Sequence, residues 1–139
     1  MYLLDTNVVS ELRKAKSGKA DKRVVSWAKG VPASSLYLSS ISLLELEIGV
    51  LLIEQRDPLQ GTMLRVWLDE QVIPVFADRT IAVDAAVARR CARLHVPDPR
   101  SERDALIAAS ALVHGLVIVT RNVVDFDPMG VEIINPWES

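Results

Sequence analysis

The chain has 139 residues, a net charge of −2 and hydrophobic side chains at 50% of its positions. A sequence of this size and hydrophobicity can bury a sizeable core, so disorder is not expected. No apolar run reaches the roughly 18 residues that a membrane span needs, and no export signal is evident. The single cysteine, Cys91, excludes an internal disulfide. We therefore expect residues 1–139 to form one domain in the cytoplasm, without membrane contact.

Short apolar runs alternate with helical patterns along the chain. Strands are expected at Tyr2–Leu4, Leu36–Leu38, Val72–Val75, Leu116–Val119 and Val131–Ile134. Helices are expected between them, at roughly Val8–Lys14, Lys22–Lys29, Ile41–Gln55, Gln60–Glu70, Ile81–Leu94 and Arg103–His114. Strands that are apolar throughout and separated by helices indicate a parallel sheet covered on both faces. The expected fold class is α/β, and such sheets bind ligands at the carboxyl ends of their strands.

Two acidic residues lie at the ends of expected strands. Asp5 directly follows the first strand, in the stretch LLDTN. Asp125 follows the fourth strand, in VIVTRNVVDFD, three residues after Asn122, which can cap the turn. Asp127 competes with Asp125 for the same role. Taken singly, each of these acids is compatible with an ordinary polar loop.

Glu45 lies within the third expected helix, in SSISLLELEIGV. At about 100° per residue, Glu45 shares a helix face with Ile41 and Ile48, and also with Leu52. We expect that face to pack on the sheet, where an unpaired carboxylate is costly. The structural alternative is a capping box, because Ser42 and Glu45 match the S-x-x-E pattern.

Asp104 begins the helix in SERDALIAASALVHG. Its face continues through small residues, which let the helix approach the sheet closely, and Gly115 is the expected stop. The structural alternative is again a cap, because Ser101 and Asp104 match S-x-x-D and an acid suits the first turn of a helix.

In a parallel α/β domain, strand ends and helix starts can lie on one edge of the sheet, so the four acids can meet. No Lys or Arg is expected on the apolar helix faces to neutralise Glu45 or Asp104. Four carboxylates in one pocket repel one another unless a cation joins them. Oxygen ligands select Mg²⁺ or Mn²⁺ over zinc, and the two histidines and one cysteine have no metal-ligand spacing.

Four segments carry a family resemblance: LLDTNVVSEL, ISLLELEIGV, RDALIAASALVHGLVIVTRNVVDF and INPW. In this order they resemble PIN-domain ribonucleases of the VapC/FitB toxin type. The resemblance implies a three-layer PIN-like domain over residues 1–139, with a central parallel sheet of about five strands flanked by helices. It assigns metal binding and catalysis to Asp5, Glu45, Asp104 and Asp125. The residues expected to support this site are Asn7, Thr120 and Asn122.

The implied function is that of a Mg²⁺- or Mn²⁺-dependent endoribonuclease, the toxin of a type II toxin–antitoxin module. Its expected substrate is tRNA or another structured or single-stranded RNA. Its expected partners are a cognate antitoxin and a second copy of the chain, with DNA reached only through the antitoxin. The candidates for contacts with RNA phosphates are Arg13, Lys14, Lys16 and Arg121. The candidates for apolar contacts with protein partners are Val24, Val25, Trp27, Leu43, Val50 and Leu51.

Three other functions fit the sequence less well. A haloacid-dehalogenase-like phosphatase needs a second aspartate two residues after Asp5, where this chain has Asn7. A response-regulator receiver needs an acidic pair after the first strand, and only Asp5 is present there. A catalytically silent PIN-like module is disfavoured because all four acids are intact.

Overall fold

The computed structural model describes residues 1–138. Its strands are β1 (Tyr2–Leu4), β2 (Leu36–Ser39), β3 (Thr80–Ile81), β4 (Val117–Val119) and β5 (Ile133–Ile134). They form one sheet in the order β3-β2-β1-β4-β5, and all neighbouring pairs are parallel. The direction of the strand order reverses beside β1, which places a topological switch point at the carboxyl ends of β1 and β4.

Helical segments cover both faces of this sheet. They are α1 (Thr6–Arg13), α2 (Lys22–Lys29), α3 (Ser40–Arg56), α4 (Pro58–Trp67), α5 (Ile73–Val75), α6 (Ala85–Leu94), α7 (Glu102–His114) and α8 (Val123–Phe126). Gly115 ends α7 in the left-handed conformation (φ +66°), as its predicted role as the helix stop requires. No helix within residues 1–138 is long and apolar enough to cross a membrane.

The core lies in two layers, because successive residues of β1 point to opposite faces of the sheet. Leu3 packs with Ile118 and the small face of α7 on one side. Leu4 packs with Val119 and helices α1 and α3 on the other side. The three-layer α/β fold predicted from the sequence is therefore confirmed.

The strand predicted at Val72–Val75 is wrong. A π-helical turn covers Leu68–Val72 and leads into α5, while the third strand is β3. Leu68 and Val72 are both buried in the same core layer, one helical turn apart, and Phe76 packs against that layer one turn later. Pro74 adds to this preference because it has no N–H to donate to a sheet.

The predicted orientation of α3 is also wrong. Ser42, Leu46 and Val50 face the interior, whereas Leu52 is exposed. The helix is apolar almost all round and packs on α4 as well as on the sheet, so a helical wheel has no single polar face to identify.

That rotation removes most of the predicted partner surface. Val50 is only 3% exposed, Val24 is fully buried, and Leu43 packs against the core. Trp27 stacks edge-to-face on Tyr2, with their ring centroids 5.2 Å apart. These side chains stabilise the fold because they complete the core between α2, α3 and the sheet.

Candidate metal centre

Asp5 joins β1 to α1 at the carboxyl edge of the sheet. Its Oδ1 accepts a hydrogen bond from the backbone N–H of Thr6 at 2.8 Å, so Asp5 caps α1. Its Oδ2 accepts from the Thr120 hydroxyl at 2.8 Å and from the Asn7 amide at 3.2 Å. Burial to 4% exposure raises the pKa of Asp5, the three hydrogen bonds oppose that rise, and the charge of Glu45 adds to it.

Two of the three residues predicted to support the site contact Asp5 through their side chains. Thr120 is fully buried after β4, and its hydroxyl also accepts the backbone N–H of Asn122 at 2.9 Å. The side chain of Asn7 reaches both Asp5 and, at 3.4 Å, Thr120. Asn122 stands at the N-cap position of α8 without a side-chain capping bond, so its predicted capping role is wrong. Its contribution to the site is the backbone N–H.

Glu45 lies in the second turn of α3, close to Asp5. Its Oε1 accepts a hydrogen bond from the Thr6 hydroxyl at 2.7 Å. The cap of α3 is Ser39, whose hydroxyl accepts the backbone N–H of Ile41 at 3.0 Å. The capping-box alternative for Ser42 and Glu45 is therefore wrong, and the hydroxyl of Ser42 is buried without a partner among the described residues.

Arg103 is a cation that no sequence pattern places at this site. Its Nη1 lies 3.7 Å from Oε2 of Glu45. The expectation that no Lys or Arg neutralises Glu45 is therefore wrong, because the start of α7 brings Arg103 to the start of α3. Arg103 is adjacent to Asp104, but no local pattern reveals a partner on a distant helix. No local pattern reveals the contact between Thr6 and Glu45 either.

Asp104 lies in the first turn of α7, and its pKa is raised to about 6. Burial is the largest cause, and the charges of Asp5, Asp125 and Glu45 follow in that order. Ser101 makes no side-chain capping bond, and no hydrogen bond from residues 1–138 reaches the carboxyl group of Asp104. The other three predicted acids are thus the charges that act on the carboxyl group of Asp104.

Asp125 lies in α8, exposed to solvent at the same edge. Its charge raises the pKa of Asp104, whereas that of Asp127 is absent from the causes of the shift. Asp127 begins the next helical turn, over Asp127–Met129. This electrostatic contact favours Asp125 over Asp127 as the fourth acid of the cluster, and the choice stays a prediction.

The four predicted phosphate contacts have different surroundings. The Nζ of Lys14 lies 3.0 Å from Glu11, so its charge is partly used within α1. The guanidinium carbon of Arg13 lies 5.9 Å from the ring centroid of Trp67, and that of Arg121 lies 5.2 Å from the ring centroid of Trp137. Lys16 is exposed, and the backbone N–H of Arg121 donates to Asn7 at 3.4 Å. Arg121 is therefore the basic residue of this set that borders the acidic cluster.

The donor chemistry of the cluster fits a hard divalent cation. Hydroxyl and carboxylate oxygens line it, and burial together with the charges of the other three acids raises the pKa of Asp104. Across the part of the chain that the structure describes, no three acidic, histidine or cysteine side chains are already arranged to hold a metal ion. The acids are neighbours in electrostatic range, and a bound cation would have to draw them closer.

Residues 2–127 match the family model described as PIN domain. The chain belongs to the PIN-domain family. It is 35% identical to VapC ribonuclease Y4jK of Sinorhizobium fredii and 34% identical to toxin FitB of Neisseria gonorrhoeae, over 99% of both chains in each case. A chain in the crystal structure of FitAcB from Neisseria gonorrhoeae superposes with a TM-score of 0.90, at 32% identity over 100% of both chains.

Proposed function

We propose that this chain is a metal-dependent endoribonuclease, built as one domain over residues 1–139, and that it acts in the cytoplasm as the toxin of a type II toxin–antitoxin module. The observation that carries the proposal is the group of four acids at the carboxyl edge of a PIN-domain sheet, where burial and the charges of the other three acids raise the pKa of Asp104. The similarity to VapC ribonuclease Y4jK and toxin FitB supports it.

Asp5, Glu45, Asp104 and Asp125 would hold Mg²⁺ or Mn²⁺. When bound, such an ion supplies an activated water and neutralises charge on the phosphodiester. In the chain itself, the Thr120 hydroxyl donates a hydrogen bond that orients Asp5, and the Thr6 hydroxyl donates one that orients Glu45. These hydrogen bonds hold two carboxylates at one edge before any ion arrives, so part of the ligand set is preorganised.

The proposed substrate is tRNA or another structured or single-stranded RNA. An exposed edge lined by acids repels phosphates, so substrate binding needs both the cation and basic residues nearby. Arg121 is the best placed of the predicted set, because its backbone lies against Asn7. Lys16 and Arg13 are exposed on the α1 side, where they can steer RNA towards the cluster.

The proposed partners are a second copy of the chain and a cognate antitoxin, with DNA reached only through the antitoxin. Large apolar side chains stay exposed along α3 and α4, including Leu51 and Leu52, Leu59 at 79% and Met63 at 69% exposure. An apolar surface of this kind suits a protein–protein interface. Of the residues predicted from the sequence to contact partners, Leu51 belongs to this exposed apolar surface.

The test is cleavage of total tRNA and a synthetic RNA by the purified chain in Mg²⁺, Mn²⁺ or EDTA. Asp5→Asn and Asp104→Asn should each lower the rate at least about 100-fold, because the metal loses a ligand. Glu70→Gln is the matched control, since Glu70 is exposed and makes no contact with the cluster. Activity that persists in EDTA, or that is equal in all four proteins, would contradict the proposal.

A further inference from the structure

Within the described part of the chain, Arg103 is the cation that pairs with Glu45 of the acidic cluster. Its guanidinium lies 3.7 Å from Glu45, and its side chain is 51% exposed. Arg103 also occupies the first turn of α7, where the helix dipole disfavours a positive charge. The helix therefore gives no reason for an arginine at this position, whereas the acidic cluster does.

Both carboxylate oxygens of Glu45 are engaged. Oε1 accepts the Thr6 hydroxyl at 2.7 Å, and Oε2 faces Arg103. A metal ion that takes Glu45 as a ligand must compete with Arg103 for Oε2. The pair is at the long end of the range for an ion pair, and its arginine is half exposed, so it is weak and can open without moving the backbone.

We propose that Arg103 has two roles in sequence: it is the counter-ion of Glu45 before a metal binds, and it holds an RNA phosphate afterwards. Once a divalent ion has taken Glu45, the guanidinium has no other ion-pair partner within residues 1–138. The half-exposed side chain of Arg103, next to Glu45, is then open to a phosphodiester that reaches the acidic cluster. A guanidinium matches phosphate with two parallel N–H donors, which makes arginine suited to this second contact.

This inference rests on the proposed function, and its first test measures metal binding without RNA. Mg²⁺ or Mn²⁺ is titrated by calorimetry against the wild-type chain, Arg103→Ala and Arg103→Gln. Both variants should bind the ion about two- to fivefold more tightly, because an exposed ion pair no longer competes. Arg89→Ala is the control for the lost charge, since Arg89 is exposed on α6 and makes no ion pair with a described acid.

If the Arg103 variants gained no more metal affinity than Arg89→Ala, the loss of one positive charge would explain the gain. That result would overturn the counter-ion role. Unchanged or weaker binding in both Arg103 variants would overturn it as well, and so would a wild-type chain that binds neither ion. If the wild-type chain binds the ion but cleaves no RNA, the proposed function fails while the counter-ion role stands. The two failures are thus distinguishable.

The second test measures RNA at saturating metal. Arg103→Ala should raise KM about tenfold, because a charge-assisted phosphate contact is lost, although the same variant binds metal more tightly. Arg103→Lys should recover only part of the loss, since it keeps the charge without the paired donors. An unchanged KM in Arg103→Ala would overturn the phosphate contact. A partly unfolded variant cannot give tighter metal binding and weaker RNA binding together, so the opposed signs identify the role.

Discussion

Asp5 and Glu45 receive hydrogen bonds from three neighbouring side chains and a backbone N–H, whereas no described hydrogen bond reaches the carboxyl group of Asp104 or Asp125. At Asp5, hydrogen bonds offset part of the cost of burial, which raises the pKa of that carboxyl group. At Asp104, no described hydrogen bond offsets burial and the charges of the other three acids, and its pKa rises to about 6. One edge of the sheet thus carries acids under two different constraints.

The hydrogen bonds to Asp5 and Glu45 form on folding, whereas Asp104 and Asp125 would be held together only by a bound cation. Asp5 links β1 and α1 to the end of β4, so its geometry forms whenever the sheet forms. Asp104 and Asp125 repel each other in the folded chain, which costs stability until a positive charge enters. Without metal, removing a hydrogen bond in the first pair should therefore lower the free energy of unfolding, whereas removing a charge in the second pair should raise it. Removing a charge in the second pair should also weaken the stabilisation by metal.

The largest effect is expected from Thr120→Val, which removes the hydroxyl while keeping the shape. Asp5 then loses a buried hydrogen bond to its charge, and the N–H of Asn122 loses its acceptor. We expect the free energy of unfolding in EDTA to fall by about 2–3 kcal/mol, measured by urea denaturation. Thr62→Val, on the exposed side of α4, is the matched control and should change little. Equal, small losses in both variants would remove the distinction between the two pairs of acids.

A smaller effect of opposite sign is expected from Asp104→Asn in EDTA. Between about pH 4 and pH 6, folded Asp104 holds a proton that the unfolded chain has released, so wild-type stability falls as pH rises through that interval. Asparagine removes this loss. The variant should be about 1 kcal/mol more stable than wild type at pH 7.5, after allowance for solvent screening, and the gain should vanish below about pH 4.

The stability gained on adding Mg²⁺ should also differ between the wild-type chain and Asp104→Asn. The wild-type chain should then gain more stability than Asp104→Asn, because only it keeps all four acids for the ion. Thermal unfolding from pH 4 to pH 8, with and without Mg²⁺, measures both effects. Asp98→Asn is the control, since Asp98 is exposed in the loop before α7. A destabilised Asp104→Asn at pH 7.5 in EDTA would show that the second pair of acids is held by the fold after all.

Local patterns predicted most of this fold correctly. The apolar strand before Asp5 and the helix that Gly115 ends are set by neighbours in sequence, and the structure confirms both. The strand expected at Val72–Val75 is wrong because burial at helical spacing outweighs β-branched composition there. This error and the wrong orientation predicted for α3 have one cause. In both segments, packing against distant elements overrides a weak local preference.

The candidate site divides in the same way. Its acids stand at a strand end and at helix starts, which the sequence locates, although their roles as ligands stay predictions. The contacts that orient them cross the fold: Thr6 reaches Glu45 from another helix, and Arg103 reaches it from a third. No spacing within one segment encodes such a contact. The sequence therefore predicts which acids lie near one another. The structure identifies the side chains that contact Glu45, which are Thr6 and Arg103.

The smallest effect separates Asp125 from Asp127. Because the charge of Asp125 acts on Asp104, Asp125→Asn should raise the melting temperature in EDTA by about 1 °C and reduce the additional stabilisation by Mg²⁺. Asp127→Asn should leave both quantities unchanged, since its charge is not among the causes that raise the pKa of Asp104. Both side chains are exposed in adjacent turns, so the two variants control for each other. If Asp127→Asn alone weakened the Mg²⁺ response, the fourth acid would be Asp127, and the uncompensated pair would include that residue instead.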